Sequence, residues 1–342
     1  MVRSSRRCER RFAGVLVALL ATAPAMAVEG DSAVPAERLD CRYSTTIPAI
    51  PERQPTRQPS TEDPGPLEGV LLPDDNLFRP LLADPREPRF YADYRRVDFR
   101  GPPNLLAEGH GPTIDAGFVG FGGLFGIWGL RQPRGCDGVQ VSMFGAVFAQ
   151  FNLNTPKWDL LNADYLVGPE VAVHYGRWSG RLRFYHQSSH LGDKFLLNFG
   201  LSHGVERENL SFEILDVLVS VEDEWWRVYG GGGLVVLSGN DPDLTNRPGF
   251  VWWGFELRGP PWRPWAWLKR SSLRPVFGAN FTSVQATGWT VNIGLSGGLE
   301  WESPGGKHRF RLLLEYQRGA LLFSQFFFAR TQDFGVQLQF EF

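Results

Sequence analysis

The sequence predicts an all-β fold: a transmembrane antiparallel β-barrel of about twelve strands, preceded by a disordered N-terminal arm. Three observations predict it. The chain closes on an alternating aromatic strand, it opens on an export-type leader, and between them polar and apolar residues alternate with no helix-length apolar run.

The closing strand is Phe334-Gly-Val-Gln-Leu-Gln-Phe-Glu-Phe342. Phe334, Val336, Leu338, Phe340 and Phe342 share one parity, and Gln337, Gln339 and Glu341 the other. Strand side chains alternate between faces, so one face is apolar and the other polar. A final strand ending in Phe resembles the assembly signal of bacterial outer-membrane barrels. That resemblance implies the barrel assembly machinery as a partner.

Residues 1–27 read as a secretory signal peptide. Basic Arg3, Arg6, Arg7, Arg10 and Arg11 precede an apolar run from Phe12 to Ala23, and Ala25-Met26-Ala27 supplies a small-x-small cleavage pattern. Cys8 precedes the apolar run and is no lipoprotein acylation site. Cleavage removes five Arg and Glu9, so the net charge moves from −2 to −6. An acidic balance argues against a nucleic-acid partner. The expected address is the bacterial outer membrane, with outer-membrane lipid or lipopolysaccharide as neighbours.

Residues 28–75 are expected to be a disordered periplasmic arm, since Pro48, Pro51, Pro55, Pro59, Pro64 and Pro66 interrupt a polar stretch with little apolar area to bury. Residues 76–342 are expected to form the barrel. The strands are placed near 90–98, 115–129, 139–152, 163–176, 180–190, 205–220, 224–237, 248–258, 273–285, 289–302, 308–318 and 331–342. Glycines 120, 122, 123, 126 and 129 break the most apolar stretch, which suits strands that bend or pack closely rather than a helix. An even strand number puts both ends of the barrel on one side of the membrane. Short turns near 176–179, 222–223 and 303–307 fit that side. The long link 259–272 and the short link 286–288 do not fit their sides. A soluble β-sandwich would also show regularly spaced strands, but it explains neither the leader nor the aromatic last strand.

By parity, Arg181, Arg183, Arg227, Arg258, Arg309 and Arg311 should face the lumen with Glu213, Glu256, Glu300, Glu302 and Glu315. Mixed signs suggest a hydrogen-bonded network filling a narrow barrel more than a selective pore, where one sign dominates. Asp84-Pro-Arg-Glu-Pro-Arg89 precedes the first strand and reads as a clamp at the barrel rim, or else a partner-binding motif. Gly230–Gly233 has no Lys-Ser/Thr after it and reads as a strand bend rather than a phosphate loop.

Phe184-Tyr-His-Gln-Ser-Ser-His-Leu-Gly-Asp193 is the most distinctive string. His186, Ser188 and His190 share a face opposite Arg181, Arg183, Tyr185 and Gln187, which puts them on the lipid side. An imidazole two residues from a hydroxyl on one strand face allows general-base activation of a serine nucleophile. This His-x-Ser arrangement resembles that of outer-membrane phospholipase A and the lipid A deacylase barrels. The resemblance implies an ester hydrolase acting on lipid, with His186 and Ser188 catalytic and Glu208 a candidate to orient the imidazole; Ser189 stands where an Asn commonly follows the serine. A position at the headgroup boundary, or contact with lipopolysaccharide phosphates, accounts for the same residues without catalysis. No third ligand accompanies His190 and Asp193, so no metal site and no cofactor are expected.

The same string, with Leu81-Leu-Ala-Asp-Pro-Arg-Glu-Pro-Arg-Phe90, Asn162-Ala-Asp-Tyr-Leu-Val-Gly168, Arg227-Val-Tyr-Gly-Gly-Gly-Gly233 and Arg309-Phe-Arg-Leu-Leu-Leu-Glu-Tyr316, resembles a family of uncharacterised bacterial secreted proteins known only as a domain of unknown function. That family commonly has an acidic residue after the Gly-Asp pair, where this chain has Lys194. The resemblance implies the architecture and leaves two functions open: a structural or narrow-channel envelope protein, and the lipid hydrolase. Cys41 and Cys136, the cysteines left after cleavage, are expected to pair in an oxidising envelope.

Overall fold

In the computed structural model the described residues are 65–100, 113–132, 136–197, 210–238, 246–262, 271–303, 308–320, 326 and 329–342. They all belong to one unit, Leu39–Phe342. Among them the strands run β1 Glu68–Leu71, β2 Phe90–Phe99, β3 Thr113–Arg131, β4 Gly138–Asn152, β5 Asp159–Tyr175, β6 Trp178–Leu191, β7 Leu210–Glu222, β8 Trp226–Ser238, β9 Gly249–Arg258, β10 Ser272–Val284, β11 Val291–Glu302, β12 Arg309–Ala320 and β13 Arg330–Glu341. Each of β2 to β13 pairs antiparallel with the next, and β13 returns to β2 through Phe340↔Phe90 to Thr331↔Phe99. The sheet is therefore a closed barrel of twelve strands. Closure leaves no open edge, as a membrane-spanning sheet requires.

Polarity is inverted relative to a soluble barrel. Leu182, Phe184, Val217, Val219, Trp253, Phe255, Leu312 and Leu314 face out and are exposed, whereas Arg181, Arg227, Glu256, Glu300 and Gln339 face in and are buried. This is the outer-membrane type of β-barrel, with an apolar band outside and polar side chains inside. The two links of unexpected length are genuine. β9 and β10 pair from Arg258↔Val276 onward, and the long link folds back where Trp262 and Leu273 exchange backbone hydrogen bonds of 2.8 and 3.0 Å. The short link after β10 is a 3-10 turn, Gln285–Thr287, ended by Gly288 at φ 70°.

Strand β1 falls within the stretch read from sequence as arm, and pairs with Trp128–Arg131 of β3 beyond the reach of β2. After it, the chain turns into the barrel at Leu72, whose φ of 52° is left-handed. Residues 72–89 form a plug inside the lumen. Leu77, Phe78, Leu81, Leu82 and Ala83 are each at most 2% exposed. Two strand glycines make room for it: a Cβ at Gly126 would lie 2.6 Å from the Pro73 carbonyl, and one at Gly278 would lie 3.1 Å from the Ala83 methyl.

The plug carries the Asp84–Arg89 motif, so the expected rim clamp is corrected: this motif packs within the barrel. The reason is charge matching. Asp75 pairs with Arg131 of β3, Arg86 with Asp164 of β5 at 3.4 Å, Glu87 with Arg181 of β6 at 2.9 Å, and Arg79 with both Glu222 of β7 at 3.0 Å and Glu256 of β9 at 3.1 Å. Apolar anchors add to these pairs. Phe78 lies beneath the guanidiniums of Arg181 and Arg227, 4.7 and 4.5 Å from its centroid, and Leu82 packs with Val276 and Leu313.

Candidate functional site

Two places gather the residues singled out above: the outward face of β6 and β7, and the lumen.

On the outward face, His186 lies directly across from Glu213 of β7 and Val167 of β5, while Ser188 lies across from Ser211 and Tyr165. His186 Nδ1 is 3.2 Å from Glu213 Oε1, with side chains 43% and 32% exposed. His190 stacks edge-on against Tyr165, with centroids 5.8 Å apart. No hydrogen bond joins Ser188 to His186 among the described residues. The carboxylate on Nδ1 leaves Nε2 of His186 for another partner, which is the orientation a general base needs. Glu208, the expected orienting residue, lies outside the described residues.

The expected lumen position of Glu213 is corrected by this register. Cross-strand partners share a face, so Glu213 points outward with His186. The inward residues of β7 are Leu210, Phe212, Ile214, Asp216, Leu218, Ser220 and Glu222. They are mostly apolar because the plug and an inner aromatic cluster give them apolar neighbours; Leu218 packs with Leu77, Phe78 and Leu81. With apolar residues on both faces of β7, hydropathy alone carries no sign of which face is which.

In the lumen, Arg181, Arg183, Arg227, Arg258, Arg309, Arg311, Glu256, Glu300, Glu302 and Glu315 are all buried. Arg311 bridges Glu300 at 2.6 Å and Glu341 at 2.8 Å, and Arg309 reaches Glu341 at 3.2 Å. Opposite charges stand directly across neighbouring strands here, as in Glu300↔Arg311 and Glu302↔Arg309. Arg183 grips Asp216 through Nε at 3.1 and 3.2 Å and Nη2 at 2.8 Å. Ser189 donates to Asp164 at 2.5 Å and to the Asn162 side chain at 3.1 Å. Strings far apart in sequence, from the plug, β5 and β6, thus meet at one interior cluster. Parity marks each as inward; what joins them is the plug.

Above the plug, toward the end of the barrel away from Phe342, the interior turns aromatic. Tyr91 stacks on Phe148 at 6.2 Å, Phe144 meets Tyr185 edge-on at 5.4 Å, and Phe195, in the three-residue helix Asp193–Phe195, meets Phe326 at 5.6 Å. Lys194 pairs with Asp159 at 2.8 Å. Among the described residues no group of His, Cys, Asp and Glu could hold a metal ion. Cys136 sits in the β3–β4 link, and Cys41 lies outside the described residues.

Over residues 18–342 the chain matches the family described as protein of unknown function (DUF1207), and it belongs to that family. No curated protein matches it. Solved structures similar in fold include outer membrane phospholipase A from Escherichia coli, at 15% identity over 74% of this chain and 93% of that one, TM-score 0.47. LpxR from Salmonella typhimurium is 13% identical over 74% of this chain and 100% of that one, TM-score 0.34. An outer membrane channel from Pseudomonas putida F1 is 11% identical over 78% and 97%, TM-score 0.38.

Proposed function

We propose that the chain is exported through residues 1–27 to the bacterial outer membrane and serves the envelope there as a closed barrel, sealed from within by residues 72–89. The barrel assembly machinery and outer-membrane lipid or lipopolysaccharide are its partners in this reading. One observation carries it: the plug is tied by side chains to β3, β5, β6, β7 and β9 around the lumen wall. Many buried ion pairs and an apolar spine must be given up together before water can form a continuous column. The test is conductance in planar bilayers. The purified full chain should pass no steady current, and large stable single-channel steps would sink the sealed reading.

A second reading, hydrolysis of lipid esters, is supported by the His186–Glu213 pair on the lipid-facing side, two residues from Ser188. In it Glu213 orients His186, which takes the Ser188 proton as the hydroxyl attacks an ester carbonyl and gives it to the leaving alcohol. Water, activated by the same imidazole, then cleaves the acyl-serine to fatty acid and restores Ser188. Detergent-solubilised protein should then release fatty acid from phospholipid and lose that activity in Ser188→Ala without losing its fold. Equal release by Ser188→Ala and the unaltered chain excludes this mechanism.

A further inference from the structure

Between the plug and the far end of the barrel lies a cavity of about 220 Å³. Its floor is Asp84 and Arg86 of the plug with Arg183 and Asp216, and its wall includes Phe212, Ile214, Val235, Phe250 and Trp252. Thr282, Thr287, Asn292 and Ala320 lie toward its mouth, near the strand ends. The volume exceeds the roughly 150 Å³ that admits benzene in a dry apolar cavity.

We infer that this cavity is a binding site for a small uncharged molecule with an apolar body and a carbonyl-type acceptor. The charge of the floor excludes an ion. Arg183 is already held by Asp216 on two nitrogens, down to 2.8 Å, Arg86 pairs with Asp164 at 3.4 Å, and the Asp84 carboxylate accepts the Arg86 backbone N–H at 2.9 Å. An ionic ligand would have to compete with these existing contacts to gain a partner, with little net return. The wall calls for apolar bulk. Phe250 and Trp252 stack at 5.3 Å with an interplanar angle of 15°, a flat aromatic surface against which a ring or chain can lie. The acceptor is called for by Trp252, whose buried indole N–H has no hydrogen-bond partner among the described residues. A buried donor left unmet is costly, and an oxygen on the guest removes that cost. The site is independent of whether the barrel conducts and of the lipid-facing His186–Glu213 pair.

Strand alternation gives the test its discrimination. Benzophenone has two apolar rings and one carbonyl, and on irradiation it inserts into nearby C–H bonds. Irradiated with the full-length barrel in detergent, it should label inward Phe212, Ile214, Val235 and Phe250, read by peptide mapping. Micelle-dissolved probe labels outward Leu215, Val217 and Val219 instead. Ile214→Trp, which fills the cavity, should abolish inward adducts and leave outward ones. Trp252→Phe should weaken inward labelling about ten-fold, the loss expected for one buried hydrogen bond. Both variants are compared as heat-modifiable, folded barrels. Adducts confined to outward residues overturn the site. Inward labelling that persists in Ile214→Trp does the same, and inward labelling undiminished in Trp252→Phe overturns the acceptor requirement.

Discussion

Arg181 of β6 and Glu87 of the plug form a two-point ion pair, Nη2 to Oε2 at 2.9 Å, with both side chains 1% exposed. The pair joins the lumen wall to a segment that sequence alone places at the barrel rim. Its burial sets how it should respond to mutation. Desolvating both charges offsets much of their attraction, so the pair is worth little against an apolar replacement but a great deal against loss of one member.

Arg181→Ala should therefore destabilise the barrel by about 3–5 kcal/mol, because Glu87 is left charged and buried. Arg181→Met combined with Glu87→Leu should recover most of that loss. Urea unfolding in detergent, followed by heat-modified mobility, measures both. Equal stability of Arg181→Ala and the unaltered chain would show that Glu87 reaches water.

Phe78 should be the principal apolar anchor of the plug. It is 2% exposed and lies under two guanidiniums. Phe78→Ala should cost about 3–5 kcal/mol, the range for deleting a buried phenyl ring. Loosening the plug should also raise the frequency of brief current steps in planar bilayers above that of the unaltered chain. A folded variant with unchanged stability and a silent bilayer trace would remove Phe78 from that role.

The aromatic seam between the last strand and its neighbours should govern assembly. Phe340 packs on Phe310 at 5.2 Å, and Phe342 meets Phe90 at 5.6 Å and His308 at 6.0 Å. Replacing Phe340 and Phe342 with Ser removes contacts on both sides of the strand that closes the barrel. The yield of heat-modifiable protein in the membrane fraction should fall several-fold. An unchanged yield would assign closure to the β13 backbone ladder alone.

The cysteines give a prediction that rests on sequence. Protein from an oxidising envelope, digested without reduction, should show the Cys41 peptide linked to the Cys136 peptide. Closing a loop of that size stabilises by up to roughly 4–5 kcal/mol in the chain-entropy account. Two alkylated thiols in that digest would refute the bond.

The barrel was legible in the sequence because strand alternation is local. In β12, Phe310, Leu312 and Leu314 oppose Arg309, Arg311 and Glu315, and the structure turns the first set out and the second in. The His186 face was legible for the same reason. Glu213 was not, since apolar residues occupy both faces of β7. The partner of His186 therefore emerges only from the His186↔Glu213 register.

The sequence by itself determined the fold class, a strand number of about twelve and the inward side of β6, because each depends on contrasts between residues one or two apart. Tertiary structure alone decided the fate of residues 72–89. Nothing within Asp84-Pro-Arg-Glu-Pro-Arg89 distinguishes a solvated clamp from a buried plug, for its charges suit either. What holds residues 72–89 inside is Arg131, Asp164, Arg181 and Glu256, each on a different strand and brought to one interior only when β13 meets β2. Complementarity between charges so far apart in the chain has no local signature, and it exists only once the barrel is closed.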